Sequence, residues 1–296
     1  MRGRMQRWWE QLAGNARGAM LMLVNALIYS LMVMIIKAVA PEVPLFVIMF
    51  FSVATQFAFI SGRAVRRLGP LLMQGERRWT HLLRSLALML SMLTGFYAVA
   101  QLPLAVSTSI SFSKAMFVTL FAGLFLAEAT GIWRWAAVLV GFSGVLILSD
   151  PTAGQQISVL GLAAGVVSAA AAAAGAILTR RLAQTDPAEV LLLNQTAIGT
   201  LILAPLAIWS WQTPEPATLM LLVATGLLSV LGNTSMIGAL RVGEASVIAP
   251  VDFSRAIFAG VLGYLVFSEV PNAQALAGMA IIALGTLMSL RSGRGR

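Results

Sequence analysis

The chain has 296 residues, of which 59% are hydrophobic and only 10% charged, with a formal charge of +9 and no cysteine. That balance leaves too little polar surface to cover a soluble globule of this length, so lipid is the expected solvent. The missing cysteines exclude disulfides and thiolate metal sites, and the basic excess, which in a soluble protein would suggest nucleic acid, is read here as a topology signal.

In chain order, a basic leader at residues 1–17 carries Trp8 and Trp9. The apolar run after it is too long for a signal-peptide core, and no small-x-small site ends it before Lys37, so it reads as the first spanning helix. Hydropathy places spans at 18–40, 44–62, 82–100, 105–127 and 134–149, then at 158–178, 188–211, 217–239, 245–267 and 273–290. Most match the roughly 30 Å of hydrocarbon that a helix must cross. The links are short and rich in Pro, Gly and charge, for example Pro41 to Pro44, Asp150-Pro151 and Thr213 to Pro216, which makes neighbouring helices antiparallel. The expected class is an all-α membrane protein of ten transmembrane helices. A first five-helix repeat covers 18–149, a second covers 158–290, and a basic tail follows at 291–296.

Counting Arg and Lys on alternate sides of this map puts 17 on one side, including Arg84, Arg134, Arg180, Arg181 and Arg241, and none in the opposite loops. By the positive-inside rule both termini are then cytoplasmic, in a bacterial-type inner membrane. The stretch from Arg63 to Arg84, with Trp8, Trp9 and Trp79, reads as an anchor for anionic lipid. His81, the single histidine, is expected to be solvated or at a lipid headgroup.

Sliding residues 106–144 by 141 positions sets Phe112-Ser113-Lys114-Ala115 on Phe253-Ser254-Arg255-Ala256, Phe117 on Phe258, Glu128 on Glu269 and Gly144 on Gly285. A slide of 143 sets Lys37 on Arg180 and Pro44 on Pro187. Five spans per copy is an odd number, so the second copy enters from the other face and the repeat is inverted.

Paired endings accompany the repeat: Leu102-Pro103-Leu104-Ala105 running into Leu124-Phe125-Leu126-Ala127-Glu128, and Glu244 to Pro250 running into Leu265 to Pro271. With the five-plus-five plan, they resemble the EamA-type members of the drug/metabolite transporter superfamily across essentially the whole chain. The resemblance implies a central cavity lined by the first four helices of each half, with the fifth and tenth at the periphery. Members include exporters of amino acids and toxic metabolites and importers of nucleoside-like or vitamin-like solutes. Ser113-Lys114 departs from the uncharged or proline-containing stretch of many relatives.

Ionisable groups at bilayer depth cost about 2.5–3.5 kcal/mol each on insertion scales, so they are expected to face a cavity or a partner. Lys114, Asp252 and Arg255 are such groups, and Lys114 and Arg255 are repeat mates, which places both at the interface of the halves, where inverted-repeat transporters bind substrate. Asp252 and Arg255 share a helical face. Two readings stay open: Lys114 unpaired and attracting a substrate carboxylate or phosphate, or Lys114 paired with Asp252 and locking two helices together. Ser107, Ser111 and Lys114 form a polar stripe, and Pro250 should open the helical ladder beside Arg255. Asn25, Tyr29, Gln56, Tyr97, Asn194, Gln195 and Asn233 are candidate lining residues for a polar or aromatic solute, although interhelical hydrogen bonding would also retain them. Glu128 and Glu269 read as interfacial caps or gate pairs. Gly161 to Gly165 with the alanine run at 169–174 suits close internal helix packing; a homodimer is left open.

The leading function is a secondary transporter of a small polar or amphipathic metabolite working by alternating access, with no cofactor and no nucleic-acid partner. A flippase for an amphipathic or isoprenoid-linked headgroup is the alternative. An intramembrane enzyme is disfavoured: Ser111 to Lys114 matches S-x-x-K without its companion motifs, and no paired carboxylates, Cys or mid-membrane His supply acid–base chemistry.

Overall fold

The structure, a computed structural model, describes residues 13–68, 78–102, 110–128, 131–149, 158–267 and 273–292. The leader to residue 12, residues 69–77, Ser107, Glu269, the side chains of Lys37 and of residues 63–68, and the last four residues lie outside what it describes. The described residues are helical: α1 Gly14–Val39, α2 Leu45–Leu68, α3 Arg78–Gln101, α4 Lys114–Phe125, α5 Ile132–Ser149, α6 Val159–Leu182, α7 Ala188–Trp209, α8 Pro216–Val242, the short α9 Ala245–Ile248, a 3₁₀ segment Ala249–Phe253, α10 Ser254–Phe267 and α11 Ala273–Ser292. Among them, seven stretches are long and apolar enough to cross a membrane, and three shorter apolar helices, Ile110–Phe125, Ile132–Ile147 and Leu276–Ser289, fall on the fourth, fifth and tenth predicted spans.

Local chemistry sets several boundaries. The hydroxyl of Ser158 caps α6 by accepting from Gly161 N at 3.1 Å. Pro216 opens α8, where its missing N–H would be unpaired in any case. Pro250 splits the ninth predicted span into α9, the 3₁₀ segment and α10, because it cannot donate back along the ladder. The first half breaks at the matching place without a proline. Ser113 forms a turn ahead of α4 and its hydroxyl donates to Ile110 O at 2.6 Å; its repeat mate Ser254 donates to Val251 O at 2.7 Å.

Packing between the halves follows one exchange rule. α1 packs on α8 and α3 on α6, α2 on α7, α5 on α11, and α4 and α10 touch α6 and α1 respectively. Swapping the two halves turns each contact into itself or into its mate. Phe112 and Phe253, mates under the 141-residue slide, meet each other with ring centroids 5.7 Å apart, both buried. α5 and α11 approach through small residues: a Cβ on Gly144 would lie 2.8 Å from Gly278 O, and one on Gly285 would lie 2.5 Å from Gly141 N. The Gly161–Gly165 pattern serves internal packing, with Gly161 against Gln101 and Leu102 and Gly165 against Ile110.

The basic face is held by a polar network spanning both halves. Glu128 accepts from Ala245 N at 3.0 Å, Ser246 N at 3.1 Å and Ser246 Oγ at 2.7 Å, with Arg180 Nε at 3.7 Å. It therefore caps α9 and is the cap expected at that position. Arg134 bridges Glu244 and Ser246, while Arg180 and Arg241 donate to carbonyls that end helices, including Leu240 O at 2.6 Å and Ala183 O at 2.6 Å. Two basic-side expectations are corrected. His81 is only 5% exposed and its Nε2 lies 2.7 Å from Asp186 Oδ2, so it is a buried partner of a carboxylate instead of a solvated ring. Arg84 is fully buried, donating to Thr179 Oγ1 at 2.7 Å, Leu191 O at 3.0 Å and Gln195 Oε1 at 2.9 Å; it ties α3 to α6 and α7 and does not lie at the surface.

Candidate substrate cavity

The two broken helices bring their charged residues to one point. Asp252, 4% exposed and held in the 3₁₀ segment, receives Lys114 Nζ on its Oδ2 at 2.7 Å and has Arg255 3.5 Å from the same oxygen. Of the two readings left open for Lys114, the geometry is that of the second: its ammonium is paired with Asp252. The lone carboxylate of the cluster is shared, however, so one positive charge is left over. Both cations also keep contact with a cavity of about 380 Å³, which Lys114 and Arg255 line while Asp252 does not. The guanidinium of Arg255 lies 4.5 Å from the centroid of the Tyr29 ring and 5.0 Å from that of Phe112, which supports the cation against ring faces. Ser30, on α1, donates to Arg255 O at 3.1 Å and fixes the start of α10.

The remaining walls come from α3 and α6, including Ser91, Met92, Phe96 and Ser168. Ser168 Oγ donates to Ser91 O at 2.7 Å, and the small residues Gly95 and Gly165 leave the space between these helices. A second cavity of about 240 Å³ lies on the other side of Tyr29, Met92 and Phe96, which line both. It is walled by Asn25, Gln56, Gln195 and Asn233 together with apolar residues such as Met32 and Ile48.

Of the residues singled out in the sequence, Lys114, Ser111, Arg255 and Tyr29 line the first cavity, and Asn25, Tyr29, Gln56, Gln195 and Asn233 line the second. Asp252 stands behind the first. Ser107 is outside the described residues. Tyr97 is 42% exposed and lines neither cavity; the cavity face of α3 is the one carrying Met92 and Phe96. Asn194 Nδ2 donates to Val190 O at 2.9 Å within its own helix, and Asn194 lines neither cavity. Sequence reasoning passed over Ser91, Ser168 and Ser229 as ordinary helix serines; their place beside glycines on apolar helices was the available signal. It also passed over Arg84, whose position inside a predicted span marked it as buried.

A polar centre enclosed by apolar helices suits a membrane protein that handles a polar solute. Residues 159–291 match the model of the EamA-like transporter family. The pseudopaline exporter of Pseudomonas aeruginosa is 28% identical over 94% of this chain and 97% of its own. The riboflavin transporter of Vibrio cholerae is 28% identical over 69% and 68% of the two chains, and the S-adenosylmethionine uptake transporter of Rickettsia felis 27% identical over 73% of each. The fold is shared with a crystal structure at a TM-score of 0.81 and 17% identity, covering 94% of this chain and 98% of that one. Residues 159–291 thus carry the pattern of the EamA-like transporter family, and the chain as a whole is similar to membrane transporters of small metabolites, not to enzymes.

Proposed function

We propose that the chain is a secondary transporter that moves a small metabolite bearing a carboxylate or phosphate across a bacterial inner membrane by alternating access. On this reading ten helices span the bilayer as two inverted repeats, 18–149 and 158–290, with both termini cytoplasmic and the basic residues from Arg63 to Arg78 against anionic lipid. The named relatives carry small metabolites in both directions: pseudopaline outward, S-adenosylmethionine inward. The exchange symmetry of helix packing suits two halves that rock against each other.

One observation carries the substrate class: Lys114 and Arg255 both line the larger cavity, while the carboxylate they share is withdrawn from it. An anion entering there meets one uncompensated positive charge, and the first turns of α4 and α10 add the positive ends of two helix dipoles. The test is a thermal-shift screen of metabolites, grouped by charge, on the detergent-purified chain, followed by flux in proteoliposomes. Anionic and zwitterionic solutes should stabilise the wild type, Lys114→Met should lose that stabilisation, and Asp252→Asn should keep or strengthen it if it folds. Stabilisation confined to neutral or cationic solutes would sink the reading.

A further inference from the structure

The two cavities differ in chemistry and share a wall, and this inference rests on the reading that Lys114 and Arg255 take an anion. Among the described residues, no charged residue lines the smaller cavity; its polar groups are serine hydroxyls, side-chain amides and the phenol of Tyr29. The amides are oriented by bonds inside the protein. Asn25 Nδ2 donates to Gly232 O at 2.8 Å, Gln56 Nε2 to Ser52 O at 3.2 Å, and Asn233 Nδ2 to Gln56 Oε1 at 3.0 Å. Each of these bonds uses an amide N–H. Among the described residues, Asn25 Oδ1 and Asn233 Oδ1 accept no hydrogen bond, and both residues line the cavity. Amide oxygens with unused lone pairs in an apolar surround are matched by an N–H donor. That donor should be neutral, since an ammonium would find no carboxylate among the lining residues.

We infer that the two cavities form one bipartite site, taking an elongated metabolite with an anionic group at Lys114 and Arg255 and a neutral N–H donor, an amide or ring imino group on an apolar body, at Asn25 and Asn233. Tyr29 stands between the two ends. Its ring supports Arg255 on one side and closes the amide cavity on the other. Met32, Met49 and Met92 give the smaller cavity an adaptable apolar lining for the body of the solute.

Three probes separate the parts: hippurate, with a carboxylate and an amide N–H; γ-phenylbutyrate, with the carboxylate alone; and methyl hippurate, with the amide alone. Each is titrated by calorimetry into the detergent-purified full chain. Hippurate should bind roughly three- to tenfold tighter than γ-phenylbutyrate, the worth of one buried hydrogen bond. Asn233→Leu should collapse that ratio towards one. Equal binding of hippurate and γ-phenylbutyrate to the wild type overturns the bipartite site but leaves the charged cavity standing; binding of the ester as tightly as the acid overturns the anion reading itself. Absence of binding by all three also overturns the inference. The wild-type comparison does not depend on any variant folding.

Discussion

Arg84 lies on the same helix as Arg78 but, unlike it, is fully buried and paired only with neutral acceptors. A guanidinium is suited to this, presenting its donors in a fixed fork that reaches a hydroxyl, a carbonyl and an amide at once. Arg84→Met removes the charge but leaves Thr179, Leu191 and Gln195 short of a partner, at a cost of about 1–3 kcal/mol for each group stranded without water. Its melting temperature in detergent should fall clearly, and Arg84→Lys should recover only part of the loss, because an ammonium cannot hold all three in that geometry. An unchanged melting temperature for Arg84→Met would show that the three bonds add nothing to stability. At this scale the sequence was legible in depth and not in direction. It placed Lys114 and Asp252 at the same level of the bundle, but which cation took the carboxylate depended on rotamers. It placed Tyr97 near the cavity and could not tell its helical face from that of Phe96, one residue away.

At the scale of elements, hydropathy and breakers located the helices closely, as α1 at Gly14–Val39 and α7 at Ala188–Trp209 show against spans drawn at 18–40 and 188–211. The break at Pro250 was readable from the proline. Its counterpart at Ser113 was not, since no residue there forbids a continuous helix and only the serine hydroxyl's bond to Ile110 O marks it. The glycine pair at 144 and 285 was visible as a repeat but not as a contact, because the slide says which residues are equivalent and not which ones touch. In the folded chain these glycines let α5 and α11 approach closely, and neither glycine lines either cavity. Gly144→Leu would push its side chain into Gly278 O and Ile282, so the two helices must separate and lose packing. The expected result is a loss of roughly 1–3 kcal/mol, read as a lower melting temperature, with the affinity of the folded fraction for an anionic ligand unchanged. A selective loss of ligand affinity with no change in melting would place this helix pair in the binding machinery instead of the periphery.

For the whole molecule, the odd number of spans proposed for each half and the one-sided arginines predict the same consequence: equivalent links of the two halves should lie at opposite faces of the membrane. Residues 40–44 join α1 to α2, and residues 183–187 join α6 to α7 at the matching place in the second half. The first link carries no basic residue, whereas the second follows Arg180 and Arg181 and receives Arg241 through Ala183 O and Asp186 O. The alternative arrangement, a tandem repeat in one orientation, would put both links on one side and strand half of the basic residues there with them. Because the chain has no cysteine, single thiols report topology without prior replacement. Ala40 and Gln184 are both exposed, which makes them suitable positions. In intact cells a membrane-impermeant maleimide should label Ala40→Cys and, in the link after α7, Thr213→Cys, while Gln184→Cys should react only once the membrane is opened. Labelling of Ala40→Cys and Gln184→Cys from the same side would remove the inverted repeat. The symmetry that brings Lys114 and Arg255 to one carboxylate would then need another origin, since only an inverted pair of halves presents equivalent residues to a common centre from opposite directions.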